Sequence, residues 1–420
     1  MNFIYKILQS IYKNLFYLIA FLIPTQLAYH FWPKFSFVYG LRIDYLAVTV
    51  YFTDILIFLY VFSFLLTKRK EIMFSKKNIL RFFVFLSFVL LNIIYSKQKE
   101  LSTLKWLKIF ELLVFAFVVA KDKSLSKSKI LRTFCYSTIF FGAIGIAQII
   151  KGSTLGGIFY YFGERSFTSA TPGISLLNIS NLSLLKPYST FSHPNSLAGY
   201  ILVILIFLLS WQVDKNKDKY LKYLTFIVIV CLLAFSYSKV ALFALLIILL
   251  ISLFKSPFKL PRIKLFTYLI VFISIIFPII SDFLLKYKNI FSDNVLERLM
   301  LSKISGQILT VSPFFGVGLN NFISFIPSLN VLRIPFWLLQ PVHNIFLLLT
   351  VETGLFGIGI FFVYFFKYLI YLIENKKRNY LYILIAVFLT GFFDHYWFTI
   401  QQNMLLIFLF LGLSKNDKIK

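Results

Sequence analysis

The chain has 420 residues, of which 59% are hydrophobic and 20% aromatic, with a mean hydropathy of +0.83. An ordinary soluble domain is about 45–50% apolar, so this composition excludes one and points to an integral membrane protein. The net charge of +27 does not argue for a nucleic-acid partner, because Lys and Arg fall in short clusters between apolar runs rather than on one stripe or helix.

Charge-free runs such as Phe82 to Ile94, Ile201 to Ser210 and Tyr268 to Ile280 approach, with their flanks, the roughly 20 residues a spanning helix needs. They lack the alternation of barrel strands, and only helices or closed barrels satisfy their backbone in lipid. The expected fold is therefore all-α, one polytopic membrane domain over residues 1–420. Hydropathy predicts about twelve helices, near 14–33, 44–66, 79–96, 101–120, 130–150, 194–211, 220–235, 238–254, 265–281, 342–372, 380–397 and 400–413. Lys6 and Lys13 precede the first with no clear cleavage site, which suggests an uncleaved signal anchor.

Basic clusters at Lys68-Arg69-Lys70, Lys121 to Lys129, Lys215 to Lys222, Lys255 to Lys264, Lys376-Lys377-Arg378 and Lys415 to Lys420 occupy every second loop. Cytoplasmic loops collect such residues, so both termini are expected inside. Lys97, Lys99, Lys105 and Lys108 run against this pattern, since it puts them outside. Two long outer loops, residues 151–193 and 282–341, offer room for water-facing chemistry. The first is rich in Gly, Ser, Thr and Asn and holds Glu164-Arg165. In the second, Asn294-Val295-Leu296-Glu297 reads as a capping box, with Leu296, Met300, Ile304 and Ile308 forming the stripe of an amphipathic helix on the outer membrane surface.

Polar islands in so apolar a chain are the candidate chemistry. His193-Pro194-Asn195 opens the sixth span, with proline tolerated in the first helical turn. Lys239 follows Ser236-Tyr237-Ser238 and suits either an anion or snorkelling to the interface. Arg298 sits beside Glu297 on the outer helix, either as an ordinary solvated arginine or as a group that can clamp a phosphate but cannot act as a base. His343 exchanges a proton near neutrality, with Asn344 beside it to orient a hydroxyl or the ring. Glu352, nine residues on, lies about 13 Å further along a straight helix and on its opposite face, where it needs a cation or carries protons. Gly354, Gly357 and Gly359 read as close-packing positions. Asp394-His395 and Gln401-Gln402 are further candidates to line the cleft. Cys135 and Cys231 read as packing residues. No metal-ligand spacing or glycine-rich phosphate loop occurs, so neither a metal nor a cofactor is indicated.

Taken in order, Phe191 to Ala198, Ser238 to Ala241, Arg298, Ser312 to Gly318, His343 to Leu347 and Glu352 to Gly357 resemble the bacterial O-antigen ligase and polymerase family over about residues 188–412. The resemblance implies a membrane glycosyltransferase without metal or nucleotide. It would take a glycan from an undecaprenyl diphosphate carrier at the outer leaflet of the cytoplasmic membrane and join it to a glycan or lipid acceptor hydroxyl. It further implies that Lys239, where the family usually has arginine, and Arg298 hold the diphosphate and that His343 activates or orients the acceptor. A lipid-linked oligosaccharide flippase or other secondary transporter is the rival reading, since it too needs many helices and buried charge.

Overall fold

The computed structural model describes residues 2–68, 76–179, 182–213, 215–253, 273, 275–290, 292–329 and 335–416. It is a bundle of helices: α1 (Asn2–Leu22), α2 (Phe52–Lys68), α3 (Lys76–Ile94), α4 (Lys99–Lys121), α5 (Lys127–Lys151), α6 (Pro194–Leu209), α7 (Asn216–Ser236), α8 (Lys239–Leu253), α9 (Asp293–Val311), α10 (Phe322–Phe325), α11 (Ile345–Glu374), α12 (Arg378–Phe393), α13 (Tyr396–Thr399) and α14 (Gln401–Lys415). Among the described residues α5, α7 and α11 are long and apolar enough to cross a membrane, and several shorter apolar helices accompany them. The expected span 265–281 lies mostly outside the described residues, as do Arg69, Lys70, Lys255 to Lys264, Lys418 and Lys420.

Two expected spans need correction. The first helix ends at Leu22, ahead of Pro24, and residues 28–51 form two small antiparallel pairs, Ala28–Phe31 with Val48–Tyr51 and Phe37–Val38 with Leu41–Arg42. Proline lacks the amide that would continue a helix, and the β-branched and aromatic residues that follow suit a strand as well as they suit a hydropathy window. The second helix accordingly starts at Phe52, where the Asp54 carboxylate accepts from the Tyr51 amide at 3.0 Å. A third hairpin, Leu176–Ile179 with Leu182–Leu185, lies in the first long loop.

The main core runs through α1, α2, α4 to α8, α11, α12 and α14, where Phe134 stacks on Phe410 and both meet Phe207 edge-on. A second apolar cluster joins α9 to the start of α11. Helix α9 begins one residue before the expected cap, after Ser292, and no side-chain cap bond forms there. It buries Leu301, Ile304 and Ile308 against Leu347, Leu348 and Val351, so this face packs on protein.

Lys105 and Lys108, which run against the charge pattern, point into the bundle. Lys105 Nζ donates to the Phe398 carbonyl at 2.8 Å, and Lys108 pairs with Asp54 and, at 2.9 Å, with Glu111. Two amide side chains expected at the cleft turn to the frame instead. Gln401 donates to Asp54 at 2.7 Å, and Gln402 donates to the Pro24 and Thr190 carbonyls. At the other end of the bundle, Arg132 grips Asp218 through two hydrogen bonds, and Asn416 joins the ends of α4 and α14.

Helix α11 is broken. Gly354 has φ 70° and ψ −177°, and the segment Ser312 to Gly318 docks into the gap. Val317 and Gly318 donate to the carbonyls of Val351 and Glu352, while Leu355 and Phe356 donate to those of Pro313 and Phe314. Buried Asn92 completes the repair, donating to the carbonyls of Phe315 and Glu352 and accepting from Leu319 N and Trp106 Nε1. Unpaired backbone groups are costly in apolar surroundings, so such a break persists only where other groups satisfy it. Gly354 is therefore a backbone position rather than the packing position its neighbours suggested. Gly357 does sit against Thr353 and Phe88, whereas Gly359 meets nothing.

A methyl group at Gly354 would come within 2.1 Å of the Phe314 carbonyl oxygen, whereas one at Gly359 meets open space. Gly354→Ala is expected to lower stability by more than about 1 kcal/mol and Gly359→Ala by less than about 0.5 kcal/mol, as read by thermal unfolding in detergent. Equal melting temperatures for the two variants would contradict the break.

Candidate active site

Three helix ends meet. Helix α11 is capped by Asn344, whose side-chain oxygen accepts from the Phe346 and Leu347 amides at 2.9 and 3.0 Å; this bond fixes the residue before it, His343. Helix α6 is capped by His193, whose Nδ1 accepts from the Asn195 amide at 3.1 Å, with Pro194 in the first turn. Helix α12 stops at Phe393, short of the expected residue 397, so Asp394 and His395 lie in the turn that follows. Two of the candidates, Asn344 and His193, thus use polar atoms as helix caps.

Asp394 is the junction of the three ends. One carboxylate oxygen lies 3.4 Å from His343 Nδ1 and accepts from the His395 amide at 2.8 Å; the other accepts from Asn195 Nδ2 at 3.3 Å. The His343 and His395 rings are 5.0 Å apart, His395 Nδ1 lies 2.7 Å from Thr399 Oγ1, and Tyr45 meets His395 edge-on. Burial raises the Asp394 carboxyl, but the hydrogen bond and charge of His343, helped by His395 and His193, outweigh it and hold the group below the usual carboxylate range. Burial pushes the His395 imidazole down to about 3. An ionised Asp394 only accepts, so it favours the His343 tautomer with its proton on Nδ1 and leaves Nε2 as a base.

Cations surround this centre. Arg298 Nη1 donates to the Phe393 carbonyl at 3.2 Å, next to Asp394, and its charge reaches His193 and His395. Glu297 beside it accepts a hydrogen bond from Gln340, three residues before His343. Lys239 is exposed; burial and the Lys239 charge push the Lys186 ammonium down, and the Lys186 charge acts on His193 in turn. Arg165 donates to the Ser192 carbonyl at 3.4 Å. Neither Arg165 nor Lys186 belonged to the expected site. Both lie in the long loop 151–193, and their nearness to the basic and histidine positions was the one sequence signal for them. Glu164, by contrast, is buried and accepts from Gln148, Leu155 and Gly156, which braces the loop.

Glu352 belongs to a separate pocket, as its spacing from His343 led one to expect. Its carboxylate accepts from the Phe322 amide at 3.3 Å and faces a narrow cavity lined by Lys105, Asn320, Pro341 and Thr399. The cavity has room for about one water molecule. The site also holds one donor set that no spacing motif announces: His343, Asp394 and His395 offer ligand atoms within 4.8 Å of one another and could hold a metal ion. Cys135 and Cys231 are both free thiols.

The burial of His395 carries a sign. An unfolded imidazole takes its proton near 6.5 and the folded one only near 3, so between these values the unfolded chain binds more protons. Stability in EDTA should therefore fall as pH drops from 6.5 towards about 4, and His395→Gln should make that fall shallower. Melting temperatures across the range check this; an unchanged slope in the variant would contradict it.

Residues 224–362, from within α7 to the middle of α11, match the O-antigen ligase family model, Wzy_C. The matched region contains Lys239, Arg298, His343 and Glu352, while His193, Asn195 and Asp394 lie on either side of it. No curated protein matches the chain. The match over residues 224–362 supports an O-antigen ligase-family protein.

Proposed function

We propose that this chain is a membrane glycan transferase, a ligase or polymerase, that moves a glycan from an undecaprenyl diphosphate carrier to an acceptor hydroxyl at the outer leaflet. His343 acts as the base. Its contact with Asp394, at 3.4 Å, is the observation that carries this reading. Such bonds are often loose before substrate binds and tighten in the working complex. The hydroxyl oxygen attacks the sugar carbon, its proton goes to His343 Nε2, and the sugar–oxygen bond to the diphosphate breaks.

The leaving diphosphate gathers negative charge. Fixed cations aimed at it stabilise the transition state, and this is the role proposed for Arg298 and Lys239, with Lys186 and Arg165 as additions. Lys239 supplies charge but no bidentate phosphate geometry. His193, Asn195 and Asn344 act as positioning residues, and Asp394 orients His343. Neither metal nor nucleotide is assigned a step. The basic clusters near the opposite helix ends, at Lys121 and Lys376 to Arg378, favour both termini on the cytoplasmic side.

Transport is the second reading, and the broken helix α11 with Glu352 and Lys105 at its break gives it a specific observation. The gap is filled by the chain's own backbone, however, which leaves no room for a glycan there.

His343→Ala is expected to lower transfer from a lipid-linked donor by about 100- to 10,000-fold with membrane insertion unchanged. Normal transfer by the purified variant would overturn the proposal. Movement of donor across vesicles that depends on Glu352 and forms no glycosidic bond would favour transport.

A further inference from the structure

The geometry points to a binding site for a divalent transition cation such as Zn2+, formed by His343 Nδ1, Asp394 and His395 Nε2, whose occupation switches the His343 base off. The binding half stands on its own; the switch rests on the function proposed above.

The separation of His343 Nδ1 and the Asp394 oxygen, 3.4 Å, is long for a direct hydrogen bond, which is usually about 2.7–3.2 Å. It is close to the edge of a tetrahedron with metal–donor bonds of about 2.0–2.1 Å, which is about 3.4 Å. His395 completes the set with all three ligand atoms inside 4.8 Å. The surroundings have the form that metal sites use. A ligating histidine normally gives its second ring nitrogen to a nearby acceptor, and His395 Nδ1 lies 2.7 Å from Thr399 Oγ1. The Asp394 carboxylate is likewise steadied by Asn195. Two imidazoles and one carboxylate suit zinc or a similar ion rather than magnesium or calcium, which take oxygen donors. Arg298 opposes a second cation electrostatically, so nitrogen ligation rather than bulk charge must hold the ion. The fourth position stays open to water or an anionic oxygen.

The chemical consequence follows from the imidazole itself. A neutral ring carries one N–H; a metal on Nδ1 takes the lone pair there and the proton resides on Nε2. That nitrogen then has no lone pair for an acceptor hydroxyl. No net proton is gained or lost, and the base disappears.

The test uses the full chain, purified in detergent and freed of chelator, titrated with Co2+ and followed by visible absorption. Four-coordinate ligand-field bands should grow to one equivalent and vanish on adding Zn2+. His395→Gln should lose the bands while still unfolding cooperatively in EDTA. Asn195→Ala and Thr399→Val, which remove supporting groups only, should keep them with affinity lowered by about 10- to 100-fold. Lack of stoichiometric Co2+ binding, or bands unchanged by both His395→Gln and Thr399→Val, would overturn the site. Transfer in the same preparation should be inhibited by Zn2+ and restored by EDTA. Full-rate transfer with the site saturated would overturn the switch but leave the metal site standing. A protein that binds Co2+ but transfers no glycan in any metal state would count against the proposed function alone.

Discussion

One buried carboxylate holds the candidate site together. Asp394 touches His343 from the start of α11, Asn195 from the start of α6 and the His395 amide in its own turn. None of these segments is near another in sequence, and the contacts of that side chain converge them. Burial alone would favour the neutral acid, but the surrounding imidazoles outweigh it, and the ionised form is the one that orients His343. Arg298 acts on the same turn through the Phe393 carbonyl, so the cation and the base share a single support.

A second constraint governs the frame below. Breaking α11 at Gly354 frees backbone groups in apolar surroundings, and the segment Ser312 to Gly318, together with Asn92, satisfies them. The break in turn lets Glu352 turn its carboxylate toward the Phe322 amide and the Lys105 cavity. Two stretches of the family resemblance, Ser312 to Gly318 and Glu352 to Gly357, are thereby explained as two halves of one docked joint. Their distance in sequence hides this, since the bonds between them are main-chain and leave no side-chain pattern.

Much of the helical frame was legible from hydropathy, because long apolar runs have few alternatives in lipid. The hairpins of residues 28–51 were not, since Tyr29, Phe31, Val48 and Val50 raise hydropathy as effectively as a helix would. His343, Arg298, His193, Asn195 and Asp394 could be named as isolated polar groups, and the structure gathers them. Lys239 is exposed and acts by its charge on Lys186, and Glu352 stands in its own pocket. The bond from Asp394 to His343, the helix caps of His193 and Asn344, and the hub at Asn92 were beyond periodicity, which reports the face of a residue but not its partner.

The most direct test is single-turnover transfer from an undecaprenyl diphosphate-linked donor by Asp394→Asn protein, compared with its donor binding. A neutral amide no longer selects the productive tautomer of His343, so the transfer rate should fall by about 100-fold or more while donor affinity is nearly unchanged. Transfer at the normal rate would show that the Asp394–His343 contact is not the catalytic unit.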